Sequence, residues 1–348
     1  MIWFWLGFIA LVTVFLALDL GVFHRKAHAV SMREALAWSA VWITTSLLFS
    51  VFIYFGYSNN WNGLGAPNLD LPEGNPLRDG LDGPTAWVQY VTGYVIEWSL
   101  SVDNIFVIAL IFAYFRIPAI YQHRVLFWGI LGAVLMRGVF ILAGTTILQQ
   151  FHWVIYLFGA FLLFTAWKML MGGEEPDPSK SRIVRFVRKH FRVTSEFHGQ
   201  QFFTRRTDES GITKRWLTPL ALALIVVEAT DLVFAVDSIP AIFGITQDPF
   251  LVFTSNIFAV MGLRSMYFAL AGLLDKFARL KTSLAIILGL VGIKMLIGTW
   301  IEHKVGVDHN TMSLVTLGVV LGLLVAGVVA SLIWPVTKKE PEPEAQHG

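Results

Sequence analysis

Six carboxylates stand inside long apolar runs: Asp19, Glu97, Asp103, Glu228, Asp231 and Asp237. One Asp at the centre of a membrane helix costs roughly 2.5 to 3.5 kcal/mol, so several facing lipid would prevent insertion, and they must face a cavity or one another. Arg137 and Arg264 can neutralise two of them, while Lys168 and Lys294 sit nearer the ends of their runs and reach toward water. The set therefore keeps negative charge that a cation can balance. None of the nine His lies deep in an apolar run and there is no Cys, which argues against zinc, copper or nickel held by imidazole or thiolate. Carboxylates with Asn104, Asn256, Ser238 and backbone carbonyls make a hard-oxygen set suited to Mn, Mg or Ca, and protons alone would also balance the charge. The metal candidates are thus Glu97, Asp103, Asn104, Glu228, Asp231, Asp237 and Asn256. Asp19 is added to them last, because a residue so close to the end of its run is better explained by a structural role.

The elements that must hold these groups are membrane helices. Of 348 residues 55% are apolar and only 14% charged, against about 25% charged in soluble domains, which excludes an ordinary soluble globular protein. A hydrocarbon core of about 30 Å needs roughly 20 apolar residues in a helix. Nine such runs, approximately 2–23, 36–57, 87–112, 125–148, 153–171, 217–245, 250–274, 284–300 and 312–334, predict an all-α polytopic membrane protein. It forms one membrane domain over 1–338, with a disordered tail, 339–348, that holds Pro341 and Pro343 among its Glu residues. The first run has no basic residue before it and its charges follow it, so it reads as a retained span rather than a signal peptide.

Twenty Lys and Arg fall in loops after spans 1, 3, 5, 7 and 9, against only Arg78 and Lys304 after the even spans. The positive-inside rule then places the N-terminus outside and the C-terminus in the cytoplasm. Net charge is only +2 and the basic residues sit in short clusters between apolar blocks, which does not fit a nucleic-acid binder. Residues 58–86, with Asp70, Glu73, Asp79 and Asp82 against one Arg, read as an irregular external segment, a solvated connector in preference to an entrance that attracts cations. In the basic loop 172–216, Ile183, Val184, Phe186, Val187 and Phe191 are interleaved with five basic residues, which suits a helix lying on an anionic leaflet. Residues 200–216 then read as a short hairpin turning at 208–211.

Aligning Asp103 with Asp237 puts Ile105 on Ile239 and Glu97 on Asp231. In the spans that follow, Ala133-Val134 precedes Arg137 as Ala259-Val260 precedes Arg264, and Lys168-Met-Leu-Met-Gly172 matches Lys294-Met-Leu-Ile-Gly298. Three matches in one order predict a duplicated three-helix unit, spans 3–5 (about 87–171) and 6–8 (about 217–300). Because the units begin on opposite sides, the repeat is a 3+3 inverted one, the plan of many secondary transporters. Helical phase sets a further condition. Glu228 and Asp231 share a face, as do Glu97 and Asn104, but residues six apart differ by about 120°. Glu97 and Asp103, like Asp231 and Asp237, therefore serve different neighbours unless the helix is interrupted between them, and Pro240, which frees the Val236 carbonyl, favours interruption in span 6.

The chain resembles the TerC family of integral membrane proteins, including its Alx branch. The motifs are Leu18-Asp19-Leu-Gly-Val-Phe-His-Arg-Lys26, Glu97-Trp-Ser-Leu-Ser-Val-Asp-Asn104, Glu228-Ala-Thr-Asp-Leu-Val-Phe-Ala-Val-Asp-Ser-Ile-Pro240 and Ser255-Asn-Ile-Phe-Ala-Val-Met-Gly-Leu-Arg264. The resemblance implies a bacterial inner-membrane protein of a family named for tellurium resistance, whose Alx-like members are linked to manganese export. It does not fix the substrate.

The leading expectation is therefore a manganese exporter working by alternating access, with Mn2+ as cargo, protons as a candidate counter-ion and no resident cofactor. In it Glu97, Asp103, Glu228, Asp231 and Asp237 form one midplane site with Asn104 and Asn256, and Arg137 and Arg264 balance charge. The alternative is a membrane assembly or scaffold protein in which the acids are structural. No enzyme activity is expected: neither Asp103 nor Asp237 stands in the Gly-x-Gly-Asp context of an intramembrane protease, and no phosphate-binding Walker A sequence is present.

Overall fold

A computed structural model describes residues 2–18, 30–69, 71, 77–151, 153–171, 182–207, 213–270, 280–305 and 309–333. Asp19, most of the first family motif and the C-terminal tail lie outside these residues. The described chain is almost wholly helical. Its helices are α1 (Ile2–Leu18), α2 (Met32–Ser58), α3 (Gly83–Tyr114), α4 (Ala119–Gln150), α5 (Val154–Leu170), α6 (Arg182–His190), α7 (Pro219–Phe243), α8 (Pro249–Met261), α9 (Leu263–Leu270), α10 (Leu280–Val305) and α11 (His309–Ile333). Seven segments, with α8 and α9 taken together, are long and apolar enough to cross a bilayer, and α1 and α5 are shorter apolar helices. The protein is a multi-pass, all-α membrane protein.

Helix starts follow from local chemistry. Asp82, Thr218 and Asp248 accept amide hydrogen bonds at the N-termini of α3, α7 and α8, and each of these helices has Pro in its first turn, where no amide partner is needed. The Asp248 carboxylate takes two amides, from Phe250 at 2.8 Å and Leu251 at 3.2 Å.

α3 and α8 form the centre, and α8 is buried on nearly every side. Exposed apolar side chains such as Leu48 on α2, Leu135 and Val139 on α4 and Val325 on α11 form the outer surface that a bilayer covers. α3 packs on α8 as α4 packs on α7, and α3 meets α7, α4 meets α8 and α5 meets α10. Exchanging α3, α4 and α5 for α7, α8 and α10 maps these contacts onto one another, the pattern a duplicated three-helix unit would give. α5 and α10 approach closely where Gly159 faces Gly292: a Cβ on either would stand about 3 Å from the other's carbonyl oxygen.

Four expectations are corrected. α7 runs unbroken through Pro240, because in the last turn a missing amide costs only one hydrogen bond. The seventh apolar run is two helices, α8 and α9, meeting at Gly262. The described part of residues 58–86 is more than a solvated connector. Leu64 and Leu81 are buried, Leu81 donates to the Gly65 carbonyl at 2.9 Å, and the segment roofs a cavity of about 910 Å³ that reaches Gln89, Thr246 and Lys294. Finally, Val184 and Val187 of α6 are buried in the bundle's core rather than free for lipid, while Phe186 stays exposed. The expected hairpin is present as β1 (Phe203–Thr207) paired antiparallel with β2 (Thr213–Leu217), its turn lying outside the described residues.

Candidate functional site

The site is organised by one guanidinium. Arg137 on α4 is fully buried at 0% exposure, and so is Glu97 on α3. Arg137 Nη1 donates to Glu97 Oε1 and, at 2.9 Å, to Asn256 Oδ1 on α8. On its other edge Nε and Nη2 donate to the two carboxylate oxygens of Asp231 on α7, at 3.3 and 3.1 Å. Asn256 closes the circuit by donating Nδ2 to Glu97 Oε2 at 3.2 Å. Four helices thus meet at a network in which a buried charge pair is fully hydrogen-bonded, the condition under which such charge is tolerated in a low-dielectric interior. Glu97 and Asp231, which the expected repeat would align, converge on the same Arg.

Glu228 stands one turn before Asp231 on α7, and its carboxylate lies directly on the backbone of α4. A Cβ built on Gly132 would fall 2.0 Å from Glu228 Oε1. Only glycine leaves that space. Glu228 Oε2 is buried with no hydrogen-bond partner among the described residues, and so are the hydroxyls of Ser101 on α3 and Ser238 on α7. Three carboxyl groups, Glu97, Glu228 and Asp231, thus stand at or beside the single guanidinium of Arg137.

The structure does not gather all the predicted ligands. Among the described residues no group of three or more His, Asp or Glu is placed to hold a metal ion. Glu97 and Asp231 point into the guanidinium of Arg137 instead, and the expectation of one five-carboxylate site is corrected accordingly. The 120° phase difference decides where the other two acids go. Asp237 accepts a hydrogen bond from Thr165 Oγ1 on α5 at 3.2 Å, with Lys168 close enough to act on it electrostatically. Asp103 has Lys281, in the first turn of α10, as its nearby opposite charge. Asn104 is buried on α3 and Arg264 is buried on α9. Asp19 lies outside the described residues.

Sequence reasoning missed Thr165, Gly132 and Asp248. Thr165 carried a usable signal, since it stands three residues before Lys168 on the same face of α5. Gly132 carried none, because a glycine that admits a side chain reads no differently from one that admits a neighbouring helix.

Comparison with known proteins adds the family. The description "Integral membrane protein TerC family" matches residues 82–340. The chain is 47% identical over 330 residues to "Uncharacterized membrane protein STKORF319" of Myxococcus xanthus, covering 94% of this chain and 92% of that one. It is 44% identical over 323 residues to "Putative membrane-bound redox modulator Alx" of Escherichia coli K12, covering 92% and 91%. To "Uncharacterized membrane protein" of Rickettsia bellii it is 37% identical over 330 residues, covering 94% and 97%. No solved structure matches the chain. The family match over residues 82–340, which spans the four helices that carry this network, and the 37 to 47% identity to these relatives show that the chain belongs to the TerC family of integral membrane proteins.

Proposed function

We propose that the protein moves a hard divalent cation across the membrane, with manganese the first candidate. The observation that carries this reading is charge. Fully ionised, Glu97, Glu228 and Asp231 would exceed Arg137 by two negative charges, and Glu228 keeps a buried oxygen with no partner among the described residues. One divalent ion balances that excess, and two protons do the same in its absence, which makes protons the natural counter-ion. Ionisable groups inside membrane helices are costly and mark ion pathways more often than scaffolding. Binding requires Arg137 to release part of its hold on Glu97 or Asp231 as α4 and α7 shift, so that the oxygens of Asn256 and the freed carboxylates reach the ion. Asp103 and Asp237 flank the centre as stations on the path. The inverted arrangement of the two three-helix units supplies the two alternating states. In this reading the chain resides in a bacterial inner membrane, N-terminus outside and C-terminus in the cytoplasm, holds no permanent cofactor and catalyses no covalent chemistry.

The name of the Escherichia coli relative speaks of redox modulation. A chain without cysteine has no thiol to exchange, so a redox role here would act through the metal moved.

A second reading has its own observation. The Arg137 network is fully hydrogen-bonded, as a brace would be, and a scaffold protein needs nothing more. The two are separated by Mn2+ flux in proteoliposomes with Glu228→Gln. Glu228 is not bonded to Arg137, so its neutralisation leaves the brace intact. Flux by the wild-type chain that Glu228→Gln abolishes supports transport, and no Mn2+ flux by the wild-type chain moves the scaffold reading ahead.

A further inference from the structure

The β-hairpin carries a feature that ion transport does not use. β1 and β2 pair so that Arg205 stands directly opposite Arg215. Both side chains are exposed, and neither has an ion-pair partner among the described residues. Like charges directly opposite in an antiparallel pair destabilise the sheet. The neighbouring register position shows the contrast, for there Arg206 is neutralised by Glu196.

The whole segment is held against the ends of the membrane helices. Thr218 Oγ1, at the start of α7, donates to the Gln201 carbonyl at 2.8 Å. Arg124 near the start of α4 donates to Gln200 at 3.2 Å and lies over the Phe202 ring. Within residues 182–217, Phe186, Phe191 and Phe203 are 58%, 54% and 60% exposed. Residues 182–217 hold nine Lys or Arg against three Asp or Glu. Basic side chains mixed with exposed aromatic rings, fixed at the level where membrane helices begin, form an interfacial surface rather than a soluble-protein one.

We infer that Arg205 and Arg215 form a clamp for the phosphate groups of anionic phospholipids, with Phe203, Phe186 and Phe191 seated in the adjoining leaflet. The like-charge opposition, costly in isolation, is relieved when one phosphate accepts from both guanidinium groups. The inference is independent of which ion, if any, the bundle moves.

The test is hydrogen–deuterium exchange of the hairpin in the full chain, reconstituted in nanodiscs of phosphatidylcholine alone or with phosphatidylglycerol. Phosphatidylglycerol is expected to slow exchange of the 203–217 amides roughly fivefold for each arginine engaged. In the Arg205→Gln/Arg215→Gln variant the two bilayers should give the same exchange. The melting temperature of that variant in detergent should equal or exceed the wild type, because the opposed charges are gone. Equal exchange of the wild-type chain in the two bilayers would overturn the inference. So would protection by phosphatidylglycerol that survives in the variant, protection reproduced by inorganic phosphate in phosphatidylcholine alone, or a lowered melting temperature, which would mark the arginines as internal structural supports.

Discussion

Arg137 holds Asp231 side-on, with Nε and Nη2 each donating to a different carboxylate oxygen. Neutralising either acid leaves Arg137 paired with the other, so the loss is one set of charge-assisted hydrogen bonds, about 1.5 to 3 kcal/mol. Asp231 keeps 11% side-chain exposure, so Asp231→Asn should fall near the lower figure and Glu97→Gln, fully buried, near the upper. Thermal unfolding in detergent checks both. Arg137→Lys should not restore stability, because an ammonium cannot reproduce the two-edged fork. An unchanged melting temperature in all three would remove Arg137 as the organising group.

Gly132 and Glu228 are predicted to act as a unit. Gly132→Ala changes no charge, and the Glu228 carboxylate, at the end of a flexible chain, can swing aside, so the protein should fold and accumulate. Metal flux should nonetheless fall about tenfold, equivalent to ~1.4 kcal/mol of misplaced ion stabilisation. Shortening the acid with Glu228→Asp in the same chain should recover part of that loss. Flux unaffected by Gly132→Ala would mean that the Glu228 position does not matter.

Asp103 and Asp237 stand outside the Arg137 network, and their neutralisation is expected to spare folding. Asp103→Asn and Asp237→Asn should reach wild-type levels in the membrane yet lose metal flux, by about tenfold or more where a charge in low dielectric is removed. Thr165→Val should weaken flux less, since it frees Asp237 without neutralising it. Wild-type flux in both Asn variants would make these acids structural.

Asp248 gives a pH-dependent expectation outside the membrane helices. Burial raises its carboxyl above the ordinary Asp value of 3.8, against the lowering effect of the Leu251 and Phe250 amides. A raised folded-state value means that stability is fully present at low pH and declines as pH rises from 3.8 through the folded value. Asp248→Asn keeps an oxygen for the two amides and removes the buried charge, so it should melt higher than wild type at neutral pH, with the gain shrinking toward pH 4. Asp248→Ala should lose about 1 kcal/mol of capping relative to Asp248→Asn at either pH. A pH-independent difference between Asp248→Asn and wild type would show that the carboxyl ionises without penalty.

Topology is testable directly. A reporter fused after Gln200 should read cytoplasmic and one at Asn60 external, given the contrast of 20 basic residues against 2 between the loops of odd and even spans. The same side for both would overturn the inverted arrangement.

Much was determined by the sequence alone, because the bilayer is a severe solvent. Apolar length marks its helices, the family motifs mark the acids, and a six-residue spacing on a 3.6-residue helix already forbids Glu97 and Asp103 from facing the same neighbour. Which neighbour each acid takes depends on contacts across many tens of residues. That Arg137 would bind Glu97 and Asp231 together, that Asn256 would bridge them, and that Glu228 would lie on Gly132 follow from the crossing of α3, α4, α7 and α8, which periodicity along one helix cannot encode. The break at Gly262 and the continuity of α7 through Pro240 were likewise decided by packing, since each local signal costs about one hydrogen bond and the tertiary contacts outweigh it.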